Sequence, residues 1–198
     1  MKLCRRLSLW TLVLAALVWG CQTMPPQTPE ARRDWAEVVL RNWSSFSELR
    51  AAWLMERYGP PDLIRHDRLV WYDRGPWRRI EVWDVLPYYV PASGPDNMAE
   101  TVLYWVPAER VPELKRFRRA VQVSRDGKEL TSRGTSEAVN FLALNLADEV
   151  IKGEKDPRQA REFYDRTLEL WRAGKSSPIM RGLRFRPAPF SPLPRASP

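Results

Sequence analysis

Between Thr135 and Lys152 the chain carries an apolar band too broad for a helix that merely lies on a surface. Val139, Leu142, Ala143, Leu146 and Val150 recur at helical spacing, and Phe141, Leu144 and Ile151 widen the stripe. The pattern predicts a largely buried helix, around which the rest of the domain must be arranged. A second helix is predicted directly after it. Asp156-Pro157 opens it, Gln159 sits at the capping-box position, Ala160, Phe163, Tyr164, Leu168 and Trp171 form its stripe, and Gly174 ends it.

Two more helices are predicted ahead of these. The first runs from Pro29 to Asn42, capped by Thr28, with Trp35, Val38, Val39, Asn42 and Trp43 at i, i+3, i+4, i+7 and i+8 as its inward stripe. The second opens on a capping box, Ser45 and Glu48, and turns Leu49, Ala52, Trp53 and Met55 inward. It stops at Tyr58-Gly59-Pro60-Pro61-Asp62, because neither glycine nor two prolines continue a helix.

The middle of the chain reads as strands. Leu69–Tyr72 and Arg78–Leu86 form a predicted hairpin around Asp73-Arg74-Gly75-Pro76. Thr101–Val106 is apolar on both faces, which predicts a central, covered strand. Arg119–Arg125 alternates before the turn Asp126-Gly127, and a long loop, Pro87–Glu100, lies between the second and third strands. Two N-terminal and two C-terminal helices flanking a mostly antiparallel sheet make an α+β domain. It is expected over residues 30–186, with a Pro-rich tether at 21–29 and a disordered Pro-rich tail at 187–198.

The start of the chain is an address. A basic stretch, Met1–Arg6, precedes the apolar run Leu7–Gly20, which has the order and length of a secretory signal and is short for a membrane span. It ends Leu17-Val18-Trp19-Gly20-Cys21, which resembles the lipobox of bacterial lipoproteins. The resemblance implies cleavage before Cys21 and acylation of its thiol and new amino group, with palmitate-like chains holding the protein on a membrane. Gln22 in place of an acidic residue implies the outer membrane over the inner one.

Without residues 1–20 the chain has 178 residues, enough for one domain with a sizeable core. Its charge falls from +8 to +5, since Lys2, Arg5 and Arg6 leave with the signal. Acids and bases are interspersed, and no basic stripe or nucleic-acid motif appears, so a nucleic-acid partner is not expected. Cys4 and Cys21 account for both cysteines, which leaves the domain no disulfide, thiolate nucleophile or cysteine metal site.

Glu48–Asp84 resembles the repeated plan of SmpA/OmlA-type (BamE-like) outer-membrane lipoproteins: two short helices, a Gly-x-Pro breaker, then strands with an aromatic pattern. The matching residues are Gly59-Pro60-Pro61-Asp62 and Trp71-Tyr72. Tyr58–Asp62 is also similar to the motif of GWxTD-domain proteins, whose full signature is absent. The resemblance implies a non-catalytic envelope protein that contacts other proteins.

Chemistry is harder to find. His66, the sole histidine, lies in a polar turn, Arg65-His66-Asp67-Arg68, with no Gly-x-Ser-x-Gly nucleophile motif in the chain, so a solvated surface residue is expected. One histidine and no free cysteine cannot make the usual zinc site. Gly174-Lys175-Ser176 lacks the earlier glycine of a phosphate loop, where Glu169 stands instead. Asp62, Asp67, Asp73 and Asp84 sit among arginines and are expected in salt bridges; a carboxylate-based hydrolase is the remaining enzymatic alternative. No cofactor is expected.

The candidate partner or ligand surface is aromatic and basic: Trp71, Trp77, Arg79 and Trp83 on one sheet face beside Tyr88 and Tyr89. The same tryptophans also suit a core covered by helices, and the pattern leaves both arrangements open. The expected function is a non-catalytic cell-envelope lipoprotein with an interaction domain for an envelope protein partner. The alternative is a lipid-anchored binding module for a small periplasmic ligand, with the 87–100 loop as a lid.

Overall fold

The computed structural model describes residues 28–85, 96–118 and 120–189. Cys21 and its neighbours, Tyr88, Tyr89, most of the 87–100 loop and residues 190–198 lie outside them. Within the described residues six antiparallel strands form one sheet: β1 (Leu63–Ile64), β2 (Arg68–Arg74), β3 (Trp77–Trp83), β4 (Met98–Leu103), β5 (Val121–Val123) and β6 (Glu129–Gly134), in the order β1-β2-β3-β4-β6-β5. Among the described residues five α-helices accompany it: α1 (Pro29–Leu40), α2 (Ser45–Tyr58), α3 (Val111–Phe117), α4 (Glu137–Lys152) and α5 (Pro157–Arg172). The fold is α+β, as the sequence predicts. Among the described residues no helix is long and apolar enough to cross a membrane.

α4 is the centre of the core. Thirteen of its sixteen residues are buried, and it packs on β4, β6, α3 and α5. Ser136 caps it, its Oγ accepting from the Val139 N–H, and Gly153 ends it in the left-handed region. α5 carries the predicted capping box, Asp156 with Gln159, and buries Ala160, Tyr164 and Thr167. Phe163 and Trp171, predicted inward, are on its exposed side.

The N-terminal helices correct the sequence reading by one helical position. α1 buries Ala36 and Leu40, followed by Trp43 beyond its end, and leaves Trp35 and Val38 exposed. α2 buries Ser47, Ala51, Leu54 and Met55 and leaves Leu49, Ala52 and Trp53 exposed. The small residues Ala36 and Ala51 are fully buried, so the helices meet their neighbours where they are narrow. The predicted Ser45 capping box is also displaced. Ser44 is the N-cap, and its N–H and Oγ both donate to Asp84, each at 2.9 Å. Gly59 ends α2 with φ of 77°, a conformation that favours glycine.

β4 is the central strand that the apolar 101–106 run predicts, but it begins earlier, at Met98, and its inner face presents Glu100 between Met98 and Val102. α3 and β6 have no counterpart in the sequence reading. In β6, Ser132 and Gly134 occupy inner positions opposite Glu100 and Met98. A β-carbon at Gly134 would fall 2.7 Å from Asn140 Oδ1, so glycine here lets α4 approach the sheet. At the start of the Pro-rich tail, the Ala188 N–H donates to the Leu103 carbonyl at 2.9 Å, which fixes the described part of that segment to the sheet.

Candidate functional site

The structure divides the predicted aromatic surface. Trp71 and Trp77 have no exposed area and belong to the core. Trp71 donates to the Gly59 carbonyl at 2.8 Å, and Trp77 stacks on Phe141 of α4 with ring centroids 5.1 Å apart. Asp73, at φ of 54°, interrupts the pairing of β2 with β3 just before the hairpin turn, and Trp77 joins Ile80 in the buried set instead of alternating away from it. Arg79 and Trp83 remain on the outer face. Arg79 bridges Glu81 (2.7 Å) and Glu129 (3.8 Å), and Trp83 is capped by the Arg133 guanidinium, 4.9 Å from its ring centroid. A polar hollow of about 510 Å³ on that side joins His66, exposed as expected, with Arg65, Arg68, Tyr72, Arg79 and Glu81. Three of the four aspartates form the salt bridges expected of them: Asp62 holds Arg32 and Arg74, Asp67 holds Arg68 and Asp73 holds Arg78. Asp84 instead accepts from Ser44 at the start of α2 and pairs with no arginine among the described residues.

The aromatic surface that is exposed lies elsewhere. Phe46, Leu49, Arg50, Trp53 and Arg57 fall at i, i+3, i+4, i+7 and i+11, one stripe along α2. They form one wall of a groove of about 600 Å³. The opposite wall is the start of α4, including Ser136, Ala138 and Phe141, with Met98 of β4, Trp171 of α5 and Met180. Phe46 is 50% exposed, Leu49 70% and Trp53 42%, values that core side chains of this size do not show. Asn145, buried on α4, fixes the far wall: its Nδ2 donates to the Ile179 and Gly182 carbonyls and its Oδ1 accepts from the Arg184 N–H.

A polar cluster adjoins the groove at the start of α4. Glu137 Oε1 accepts from the Tyr58 hydroxyl and, at 3.0 Å, from Trp77 Nε1, while Oε2 pairs with Arg57 at 3.3 Å. Burial, and then the hydrogen bond given to Glu137, push the Tyr58 hydroxyl up to about 12. Next to this cluster Glu100 is sealed inside, with no exposed area. Its Oε2 accepts from Asn140 Nδ2 at 2.9 Å, and Asn140 Oδ1 accepts from Ser132 Oγ at 2.9 Å. Its Oε1 has no hydrogen-bond partner among the described residues. Burial first, and the nearby Glu137 second, hold the Glu100 carboxyl well above the usual carboxylate range. Two neighbouring carboxyls with separated environments suggest acid–base chemistry. The geometry argues against it, since Glu100 reaches no solvent and both Glu137 oxygens are already engaged.

Arg50 differs from the other arginines at the groove. It is half-buried, and among the described residues its buried Nε has no hydrogen-bond partner and its guanidinium makes no salt bridge within 4 Å. Desolvation lowers its pKa, against the opposing fields of Glu100 and Asp96. Sequence reasoning missed this site because it assigned Leu49 and Trp53 to the core. The available signal was a helix with two apolar faces: Phe46, Leu49 and Trp53 on one side, Ala51, Leu54 and Met55 on another. A wider hollow, about 970 Å³, is lined by α3, β5 and Trp105 and includes neither Glu100 nor Glu137. Compared with known proteins, the chain matches no family model, no curated protein and no solved structure.

Proposed function

We propose that this chain is a non-catalytic cell-envelope lipoprotein, anchored through Cys21, whose α+β domain works by binding in the groove between α2 and α4. The observation that carries the reading is the exposed stripe Phe46, Leu49 and Trp53 facing Phe141 and Trp171 across a concave space. Fully burying a side chain of this size contributes ~1.5–3 kcal/mol, so a contiguous exposed set is a surface made to be covered. Its concavity favours the small-ligand alternative over a flat protein-contact patch. The order of elements, two helices, the Gly59-Pro60 breaker and an antiparallel meander, accords with the SmpA/OmlA-type plan and supports an envelope role.

The anchor would keep the groove near lipid. Six residues separate Cys21 from Thr28, and the seven steps between them, at ~3.6 Å each, reach at most about 25 Å. In cells labelled with a fatty-acid analogue, the native chain is expected to take up label and Cys21→Ser to take up none. Label retained in Cys21→Ser would refute the anchor.

Binding in the groove is tested by complementation of a deletion strain. Leu49→Glu places a charge on an already exposed position, so folding should be kept while an apolar ligand is repelled. The expected result is loss of function at normal protein level, with His66→Ala silent. The reverse, His66→Ala inactive and Leu49→Glu fully active, would remove the binding reading and restore an enzymatic one.

A further inference from the structure

We propose that the groove binds a long-chain fatty acid, its carboxylate held by Arg50 and its chain covering Phe46, Leu49 and Trp53. This deepens the binding reading above and depends on it. The apolar walls specify a hydrocarbon: two aromatic rings and a leucine on α2 face Phe141, Met98, Met180 and Trp171, with no charged group other than arginines and the engaged Glu137 on the lining. About 600 Å³ lies inside the range of small-molecule sites.

Arg50 specifies the head group. A guanidinium that has given up part of its water without gaining an ion pair is costly, and an incoming anion repays that cost. Arginine's planar fork matches a carboxylate bidentately. The charge balance selects a single negative charge. Arg57 is paired with Glu137, and burial holds the Glu100 carboxyl well above the usual carboxylate range, which weakens it as a partner for Arg50. Asp96, the other acid whose field reaches Arg50, is exposed and forms no ion pair with it among the described residues. A dianionic phosphate would bring a second charge against Glu137 with no further inward cation to meet it; Arg181 is exposed and hydrogen-bonds Ser176. The start of α4 lines the same space, and the N-terminal end of a sixteen-residue helix favours an anion there. Arg50 is more buried than Leu49 and Trp53 beside it, which sets the carboxylate inward and the chain outward.

The test uses the full chain in isolated membranes and two photo-crosslinking probes: palmitate with a diazirine in its chain, and the same chain ending in an alcohol. Label is expected on peptides from residues 45–58 and 137–152. It should be at least about tenfold stronger with the acid than with the alcohol, and excess palmitate should compete it away. Arg50→Gln should erase the preference for the acid and Arg50→Lys should restore part of it, with unfolding midpoints measured on both variants to exclude a folding defect. Equal labelling of the groove by both probes would overturn the fatty-acid assignment and leave the binding reading standing. A preference for the acid that survives Arg50→Gln would overturn the role of Arg50. Absence of groove labelling by either probe would overturn this proposal and the small-ligand reading together.

Discussion

Leu142→Ala and Leu146→Ala are each expected to lower stability by ~2–5 kcal/mol, the largest effects of any single truncation we predict. Both side chains have no exposed area and lie one turn apart on α4. That helix touches β4, β6, α3 and α5, so a cavity there loosens both the sheet and the helices that cover it. Domains are stable by only ~5–15 kcal/mol in all, and in a domain of this size each kcal/mol shifts the melting temperature by ~2–4 °C. Urea unfolding curves of the two variants measure the loss directly. Trp35→Ala, at an exposed position on α1, serves as the contrast and should stay within ~0.5 kcal/mol, although it removes a larger side chain. If both leucine variants also stay within that limit, α4 is peripheral and the core has been misplaced.

That experiment follows from the part of the fold most legible in the chain. α4 and α5 announce themselves because burial on most sides writes an uninterrupted apolar band and because Asp156, Pro157 and Gln159 are local signals that need no tertiary partner. The end of α2 is equally local, since Gly59 alone fixes it. The facing of α1 and α2 is not local. Counting large apolar residues selects Trp35 and Trp53, whereas the structure buries Ala36 and Ala51, because close helix packing is set by the space between backbones and not by the size of a side chain. β6 was hidden for a related reason. Its inner positions, Ser132 and Gly134, are polar and small because Asn140 of α4 must reach past them to Glu100.

The candidate site was the least legible part. Trp77 was visible as an aromatic of interest, but its partners come from far along the chain: Tyr58 nineteen residues before it and Glu137 sixty residues after. Only the fold brings them together. Arg50 is one of many arginines in the sequence, and its lack of a partner is a property of its surroundings. The groove exists because α2 turns one apolar face to the core and a second toward α4, and a single helical wheel cannot say which of two apolar faces is filled.

The buried glutamate leads to the second large expected effect, a stability that falls as pH rises. The folded-state pKa of Glu100 is raised by burial, then by Glu137, so over a range above ~4.3 the folded chain keeps a proton that the unfolded chain has released. This contribution is fully present below the unfolded pKa and is lost as pH rises through the folded one. With one more proton bound in the folded state, the slope is about −1.4 kcal/mol per pH unit across that window. Glu100→Gln removes the titration while keeping a carbonyl oxygen to accept from Asn140 Nδ2. The two proteins should therefore have similar stability near pH 4 and diverge above it, the glutamine variant becoming the more stable by neutral pH. Other groups titrate in the same interval, but they are common to both proteins and cancel in the difference. Urea midpoints from pH 4 to pH 8 give that difference point by point. Parallel profiles would mean that Glu100 has an ordinary affinity for its proton. A wild-type protein that gains on the variant as pH rises would mean that the carboxylate is ionised and paired in the fold, with Arg57 and Arg50 the cations whose fields reach it; an Arg50 engaged in this way would no longer be free to hold a ligand's carboxylate.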